Sequence, residues 1–238
     1  MPDPRVRRIG LLTGGGDCPG LNAAIRAVVK AAVHDYGISV AGFHDGFAGL
    51  VENRARELSY NDVSGILTCG GTILGTSNTA DPFRYRVGKG RRAAWRDLSA
   101  RAIRNARRRG IEALVCMGGD GTLTIARRLA AQGLPCIGIP KTIDNDLRET
   151  DVTFGFDSAV ETATEAIDRL HSTAEAHRRI MVVEVMGRYA GWIALDSGVA
   201  GNADAMMTAT SRKRDRLICA SIRVAIFRSS HIANALAE

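Results

Sequence analysis

Short apolar runs alternate with amphipathic stretches through most of this chain. The apolar runs have the length expected of buried strands and cover residues 9–13, 113–117, 136–140 and 180–185. Apolar residues at helical spacing follow from about residue 22, at 91–109, at 122–132, at 156–174 and near 191–198. Such alternation predicts an α/β fold built on an open parallel sheet with helices on both faces.

Two of the helical patterns predict which of their faces is buried. In the pattern at 91–109, Ala102, Ile103 and Ala106 point inward, and the arginines of 101–109 form a solvated face. In the pattern at 156–174, the apolar stripe comprises Phe156, Ala159, Val160, Ala163, Ala166, Ile167 and Leu170. The acids off that stripe, which we expect in solvent, are Glu161, Glu165 and Asp168.

Composition restricts the class of protein further. The five cysteines are scattered and odd in number, which argues against a disulfide framework or a zinc site and for a reducing cytoplasm. No apolar leader and no run of membrane-spanning length occurs, so we expect no membrane partner. The net charge is +7, of which residues 206–238 carry +4. Few aromatic residues interleave with the basic ones, so nucleic acid is not an expected partner.

The segment Pro140–Asp146 groups an ammonium, two carboxylates and an amide where a predicted strand ends. In open α/β sheets, ligands bind outside the carboxyl ends of the strands. One of Asp144 and Asp146 would accept a proton while the other orients a metal or cation, and Lys141 would neutralise phosphoryl charge. The alternative is a solvated polar turn.

Two glycine-rich loops follow other predicted strands. Gly118–Thr122 precedes a helical pattern, so its backbone N–H groups and the helix N-terminus suit a phosphate, and Asp120 suits Mg²⁺. Gly14–Gly20 repeats the arrangement near the N-terminus.

Neither standard nucleotide fingerprint is present: Gly70–Thr76 has P-loop glycine spacing, but Thr76 stands where Lys is required. Three such loops predict one shared phosphate-binding cleft; for Gly118–Thr122 a plain strand-to-helix turn is the alternative.

Four motifs in order resemble those of the phosphofructokinase family, and the closest resemblance is to actinobacterial-type enzymes of the mixed-donor group. The motifs are Leu12–Asn22, Gly118–Thr122, Pro140–Asp146 and Val183–Arg188. The resemblance covers about residues 6–205. It implies a two-lobed fold and phosphoryl transfer from Mg-ATP to the C1 hydroxyl of fructose 6-phosphate.

The resemblance also implies a division of the chain. Residues 1–150 would form the donor lobe, 151–205 the start of a sugar-phosphate lobe, and 206–238 a divergent tail; the order of predicted elements puts the boundary between the two lobes near 145–156. The tail suggests a truncated or frameshifted reading frame with an incomplete second lobe; a natural short variant is the alternative. We then expect an apolar face of helix 156–174 to be partly uncovered, poor solubility, and negligible phosphorylation of fructose 6-phosphate by the chain as given.

Site roles follow from the same resemblance. Asp144 would be the base that accepts the hydroxyl proton, flanked by Thr142 and Asp146, and Asp120 would be the Mg²⁺ ligand. The residues expected at the donor phosphates are Gly15, Gly119, Gly121 and Thr122. Those expected at the sugar phosphate are Met186, Gly187, Arg188 and Arg179. Arg179 would be lent to a neighbouring subunit, which implies a homo-oligomer, either a dimer or a tetramer.

Donor choice depends on two positions of the resemblance. Gly121 leaves room for a nucleotide α-phosphate, whereas Lys141 also suits a pyrophosphate leaving group. ATP is the expected donor, and pyrophosphate stays open. Asn78 stands where many bacterial ATP enzymes carry Arg, and Arg84 or Arg86 would have to supply that charge. A non-catalytic nucleotide-binding fragment is the alternative function.

Overall fold

The computed structural model describes residues 6–88, 90, 93–207 and 222–226, with backbone alone at Met207 and 222–226. The strands are β1 Arg8–Thr13, β2 Ser39–Phe43, β3 Ala55–Leu58, β4 Tyr85–Val87, β5 Ala94–Arg96, β6 Ala113–Gly118, β7 Cys136–Pro140, β8 Met181–Val185, β9 Ala205–Met207 and β10 Ile222–Ile226. The helices are α1 Leu21–Lys30, α2 Phe47–Glu52, α3 Ser99–Arg108, α4 Asp120–Ala131, α5 Phe156–His177 and α6 Trp192–Ala200, and a π-helical turn, Ala31–Asp35, extends α1.

The chain divides into two compact units. Unit 1 is Met1–Lys141 and unit 2 is Thr142–Glu238. The division falls a few residues before the 145–156 region in which the sequence predicted it. It also falls inside the Pro140–Asp146 motif, so Lys141 and Thr142 belong to different units.

Unit 1 contains a five-stranded sheet of order β3-β2-β1-β6-β7. The pairs β2–β1, β1–β6 and β6–β7 are parallel, and β3 is antiparallel to β2. The predicted parallel sheet is thereby confirmed. β6 is buried along its whole length because it is a central strand with apolar residues on both faces.

A single apolar cluster joins this sheet to α2, α3 and α4. Leu12, Leu114 and Cys116 contribute from the strands. The predicted inward face of α3 is confirmed, since Ala102, Ile103 and Ala106 are all buried in this cluster. Buried Asn105 donates to two carbonyls of the last turn of α2, Leu50 O and Val51 O, both at 2.9 Å. These bonds satisfy orphan carbonyls of the α2 C-terminus and fix α3 against it.

Two expectations about unit 1 were wrong. The helix predicted at 91–109 begins only at Ser99, because Ala94–Arg96 pairs with β4 in a hairpin. Asp97 Oδ1 accepts the backbone N–H of Ser99, the first residue of the helix, at 2.8 Å. Strand β7 is not buried: Ile137 is 61% exposed, since β7 is the sheet's edge in the part of the chain that the structure describes.

Unit 2 contains α5, α6 and an antiparallel sheet of order β8-β10-β9. β10 comes from the segment that the sequence analysis placed in a divergent tail. The stripe of α5 is partly covered by α6 and β8, with Phe156, Ala163 and Ile167 buried. Ala166 is exposed, contrary to expectation.

The apolar face of helix 156–174 is partly uncovered, as predicted. Val160 and Leu170 of its stripe are only half-buried. Other large apolar side chains of unit 2 are more exposed, with Met186 at 74% and Tyr189 at 80%.

α5 is too polar to be a membrane span. Within the described residues, no helix has both the length and the apolar character needed to cross a bilayer.

Candidate functional site

The loop after β1 is held from two sides. Gly15 N donates to Ser77 O at 3.1 Å and Gly15 O accepts from Thr76 Oγ1 at 2.6 Å. On the other side, Lys141 Nζ donates to Gly16 O at 2.7 Å. Gly15 has φ +83°, a conformation that favours glycine. If Gly15 meets a donor phosphate, it does so by close approach of its backbone, because its N–H is already bonded.

Thr122 explains two of the glycines in these loops. Its side chain is buried and lies against Gly14 and Gly118, so that a Cβ on Gly14 would fall 2.6 Å from Thr122 Oγ1. A Cβ on Gly118 would overlap Thr122 even more closely. The predicted donor residue Thr122 therefore also locks the loop after β1 against the loop after β6.

The first turn of α4 presents Asp120 and Gly121 to solvent. Gly119 precedes the helix and accepts the N–H of Leu123 at 3.0 Å, while Asp120 is the acid of its first turn. A Cβ built on Gly121 meets no atom within 4 Å. The helix N-terminus thus has an exposed carboxylate beside open space; its role as a donor site stays a prediction.

Lys141 is buried, with only 5% of its surface exposed. Its ammonium group donates to Gly16 O and lies 3.3 Å from the position that a Cβ on Gly15 would occupy. Its backbone N–H bonds to Gly118 O at 3.1 Å. Lys141 therefore connects the two glycine loops of unit 1 and adds a positive charge where they meet.

In unit 2, the segment that follows Lys141 is a hydrogen-bonded turn. Thr142 Oγ1 donates to Asp144 Oδ2 at 3.3 Å and accepts from Asp144 N at 3.1 Å. Thr153, which is buried, donates its hydroxyl to Thr142 O at 2.6 Å and its N–H to Asn145 Oδ1 at 3.1 Å. These contacts fix the Asp144 carboxylate, which is half-buried, and leave Asp146 exposed.

A small apolar cluster brings the two predicted sugar-side segments together. Ile143 and Val185 both pack against the buried residues Phe156, Ala163 and Ile193. Val185 is followed directly by Met186–Arg188, so both segments start from the same packing cluster. Met186 is 74% exposed, Gly187 is buried, and the Arg188 guanidinium lies over the Tyr189 ring at 5.4 Å. Unit 2 thus groups Thr142, Asp144 and this segment.

Arg179 is the predicted site residue that unit 2 does not bring to the others. It is exposed and lies just before β8, whereas Met186 lies just after that strand. An extended segment of this length spans roughly 20 Å. Arg179 and Met186–Arg188 therefore occupy opposite ends of β8.

The hairpin β4–β5 carries the two arginines considered as substitutes for the charge missing at Asn78. Arg84 stacks over the Trp95 ring at 4.9 Å. Tyr85 Oη donates to Glu52 Oε1 at 2.6 Å and joins the hairpin to α2. Burial and this carboxylate raise the pKa of Tyr85 to about 12, and the Tyr85 hydroxyl lowers the pKa of Glu52.

The segment Gly70–Ser77 is held in place by residues whose role was not predicted from the sequence. Buried Asn22 donates to Cys69 O and Gly70 O, both at 3.1 Å, and accepts from Ile73 N at 2.8 Å. Thr76 was noted only as a departure from a P-loop. A hydroxyl inside a glycine-rich run was the available signal, but the bonds from Ile73 N to Asn22 and from Thr76 to Gly15 O each span more than fifty residues of sequence, and no local pattern reveals them.

The acids of α5 that were expected in solvent, Glu161, Glu165 and Asp168, are exposed, as predicted. Together with Asp196 and Ala200 of α6 they line an open groove of about 400 Å³.

The thiols of Cys116 on β6 and Cys136 on β7 interact with each other. The Cys136 side chain and burial raise the pKa of Cys116, and the Cys116 side chain lowers that of Cys136.

A family model matches almost the whole length of the chain, across both units. The family model described as phosphofructokinase matches residues 8–234. The match therefore extends past Ala205, where the sequence analysis ended the resemblance. An ATP-dependent 6-phosphofructokinase 2 of Clostridium perfringens is 54% identical over 203 residues, which are 85% of this chain and 56% of that protein.

Two further similarities bear on donor and fold. A pyrophosphate–fructose 6-phosphate 1-phosphotransferase of Streptomyces coelicolor is 51% identical over 226 residues, 94% of this chain and 62% of that protein. The phosphofructokinase structure from Saccharomyces cerevisiae superposes with a TM-score of 0.71 at 37% identity, covering 83% of this chain and 28% of that chain. The chain thus spans little more than half the length of the curated relatives that it matches.

Proposed function

Because the chain belongs to the phosphofructokinase family, we propose that it transfers a phosphoryl group from ATP to the C1 hydroxyl of fructose 6-phosphate. The product is fructose 1,6-bisphosphate, in the cytoplasm. One observation carries the proposal: Lys141, buried between the glycine loops, is followed without interruption by the turn that fixes Asp144. A phosphate-binding loop and a positioned carboxylate are the two parts that phosphoryl transfer requires.

Asp144 is the proposed general base. A base has to be fixed beside the hydroxyl whose proton it accepts, and Asp144 is fixed by both its side chain and its N–H through Thr142. Asp146, exposed two residues later, and Thr142 flank the reacting hydroxyl in this proposal. Met186–Arg188 binds the sugar phosphate, since Ile143 and Val185 connect it to the same turn.

The donor side is assigned to unit 1. Gly15, Gly119, Gly121 and Thr122 lie in loops that end parallel strands, where anions bind at helix N-termini. Lys141 supplies positive charge to the transferred group.

ATP is the proposed donor because the open space at Gly121 accepts a nucleotide. Pyrophosphate is the second candidate donor because the ammonium of Lys141 is buried at the glycine loops. Pyrophosphate is also the substrate in the name of the Streptomyces coelicolor relative.

A single exposed carboxylate, that of Asp120, is a donor that fits Mg²⁺. Within the described part of the chain, no three His, Cys, Asp or Glu side chains are grouped for a metal. Mg²⁺ usually takes one or two carboxylates and completes its shell with water and substrate phosphates. Asp120 is the residue that would hold it, and the ion would offset charge on the donor phosphates.

Arg179 is proposed to act in a neighbouring subunit. Its position at the far end of β8 from Met186 supports this, because one copy of unit 2 does not place both at one sugar phosphate. The proposal therefore includes a homo-oligomer, a dimer or a tetramer.

The test is transfer of ³²P from [γ-³²P]ATP to fructose 6-phosphate by the purified chain, with Asp144→Asn as the matched control. Radiolabelled bisphosphate that depends on Asp144 supports the proposal. ATP binding without any Asp144-dependent product would mean a nucleotide-binding fragment instead. Dependence on labelled pyrophosphate in place of ATP would assign the second donor.

A further inference from the structure

The orientation of the Gly15–Gly16 peptide is set by the chain segment opposite to it. Thr76 Oγ1 holds Gly15 O at 2.6 Å. In a trans peptide, the C=O and the following N–H point in opposite directions. The bond to Thr76 therefore turns the Gly16 N–H away from Thr76.

This peptide would have little reason to keep one orientation without that bond. Gly15 has positive φ, and no atom lies within 4 Å of a Cβ built on Gly16. Two consecutive glycines without side-chain contacts allow the peptide between them to rotate at small cost. The Lys141 ammonium holds the next carbonyl, Gly16 O, at 2.7 Å.

Thr76 is itself firmly placed. Thr13 Oγ1 donates to the preceding carbonyl, Gly75 O, at 2.7 Å. Asn22 fixes the same segment at Ile73 through a bond of 2.8 Å. The Thr76 hydroxyl is thus a fixed donor on an anchored segment, in contact with the loop that the proposed function assigns to the donor phosphates.

We propose that Thr76 is a positioning residue for the phosphoryl donor: its hydroxyl selects the orientation of the Gly15–Gly16 peptide in which the Gly16 N–H can donate to a phosphate oxygen. The role rests on the proposed function, since it presupposes that this loop binds the donor. Backbone N–H groups turned to one side are a general means of binding phosphate.

Three variants of the purified chain test this role. Thr76→Val removes the hydroxyl at nearly constant volume, and Thr76→Ser retains it. Thr72→Val is the matched control, because Thr72 lies in the same segment but bonds to Thr13 Oγ1 and Leu74 N rather than to Gly15. The measurements are the dissociation constants of Mg-ATP and Mg-pyrophosphate by calorimetry, with the unfolding midpoint in urea for each variant.

Loss of one hydrogen bond predicts that Thr76→Val weakens both donors by about fivefold, and by similar factors, because the effect is on phosphate. Thr76→Ser and Thr72→Val should stay within about twofold of the original chain. If Thr76→Val does not fold, Thr76→Ala takes its place with the same expectation.

Unchanged affinity in Thr76→Val, or equal weakening in Thr76→Ser, would refute the role of the hydroxyl. Equal weakening in Thr72→Val would also refute it, since general loosening of the segment would then be the cause. If the original chain binds neither donor, the proposed function fails and this role fails with it. That result differs from normal binding that is insensitive to Thr76.

Discussion

Gly121→Asp offers the sharpest separation of the two donors. A Cβ at this position meets no atom within 4 Å, so the carboxylate enters open space at the start of α4. An acid in a first helical turn is favourable by about 0.3–1 kcal/mol, so folding stability should not fall. Any change in donor affinity then reports on the ligand rather than on the fold.

The expected magnitude follows from charge repulsion. A carboxylate about 4 Å from an α-phosphate oxygen costs ~1 kcal/mol in water and ~4 kcal/mol at an effective dielectric constant of 20. These limits correspond to about a fivefold and about a thousandfold loss of ATP affinity. Because Gly121 is exposed, the water-like limit is the better guide, and we expect about a tenfold loss that shrinks as salt is added.

The assay is calorimetric titration of the purified chain with Mg-ATP and Mg-pyrophosphate at two ionic strengths. Gly121→Asn is the control, since it has the shape of Asp without the charge. ATP should weaken far more than pyrophosphate in Gly121→Asp and little in Gly121→Asn. Equal losses for both donors, or equal losses in both variants, would show that charge at this position does not set donor choice.

Three further predictions address the base, the hairpin and the glycine loops. Any ³²P transfer that the chain supports, which the sequence leads us to expect to be slight, should fall by ~10²–10⁴ in Asp144→Asn with donor affinity unchanged, and an unchanged rate would exclude Asp144 as the base. Burial and Glu52 raise the pKa of Tyr85 to about 12, so the stability from this contact is full below the ordinary value near 10 and is lost as pH rises through 12. Urea unfolding at pH 9 and pH 11.5 should show that loss, and Tyr85→Phe should remove it; an identical pH dependence in the variant would contradict the assignment. Gly118→Ala should destabilise by ~1–3 kcal/mol in urea because its methyl group overlaps Thr122, and a change below ~0.5 kcal/mol would mean that Thr122 moves freely.

Local pattern predicted those parts of the fold that depend on nearest neighbours in sequence. The run before Gly14 and the periodicity after Leu21 specify a strand and a helix, and β1 and α1 occur there. The same reasoning failed at Ile137, because an edge strand and a central strand have similar sequences and differ only in their neighbours. It also failed at Ala94–Arg96, where pairing with β4 overrides a helical pattern.

In the candidate site, too, some residues could be identified from the sequence and others could not. Residues that carry the chemistry, such as Asp120 and Asp144, stand in short motifs and were identifiable from type and spacing. Residues that hold those motifs in position were not, because Asn22 and Thr76 contact partners far away in sequence. The roles assigned to Asp120, Asp144 and Arg179 stay predictions until the variants are measured.

During synthesis, the strands of unit 1 and those of unit 2 differ in how soon their pairing partners become available. The five strands of the unit 1 sheet all lie between Arg8 and Pro140, so that sheet can form as soon as Pro140 leaves the ribosome. In the described residues, β8 and β9 pair with β10 and not with each other, so β8 has no partner until Ile222–Ile226 is made. During that interval β8 presents two open strand edges, and Val182 lies on it. We therefore expect chaperone binding and early aggregation to begin in unit 2, and slower translation to lengthen rather than shorten the exposure.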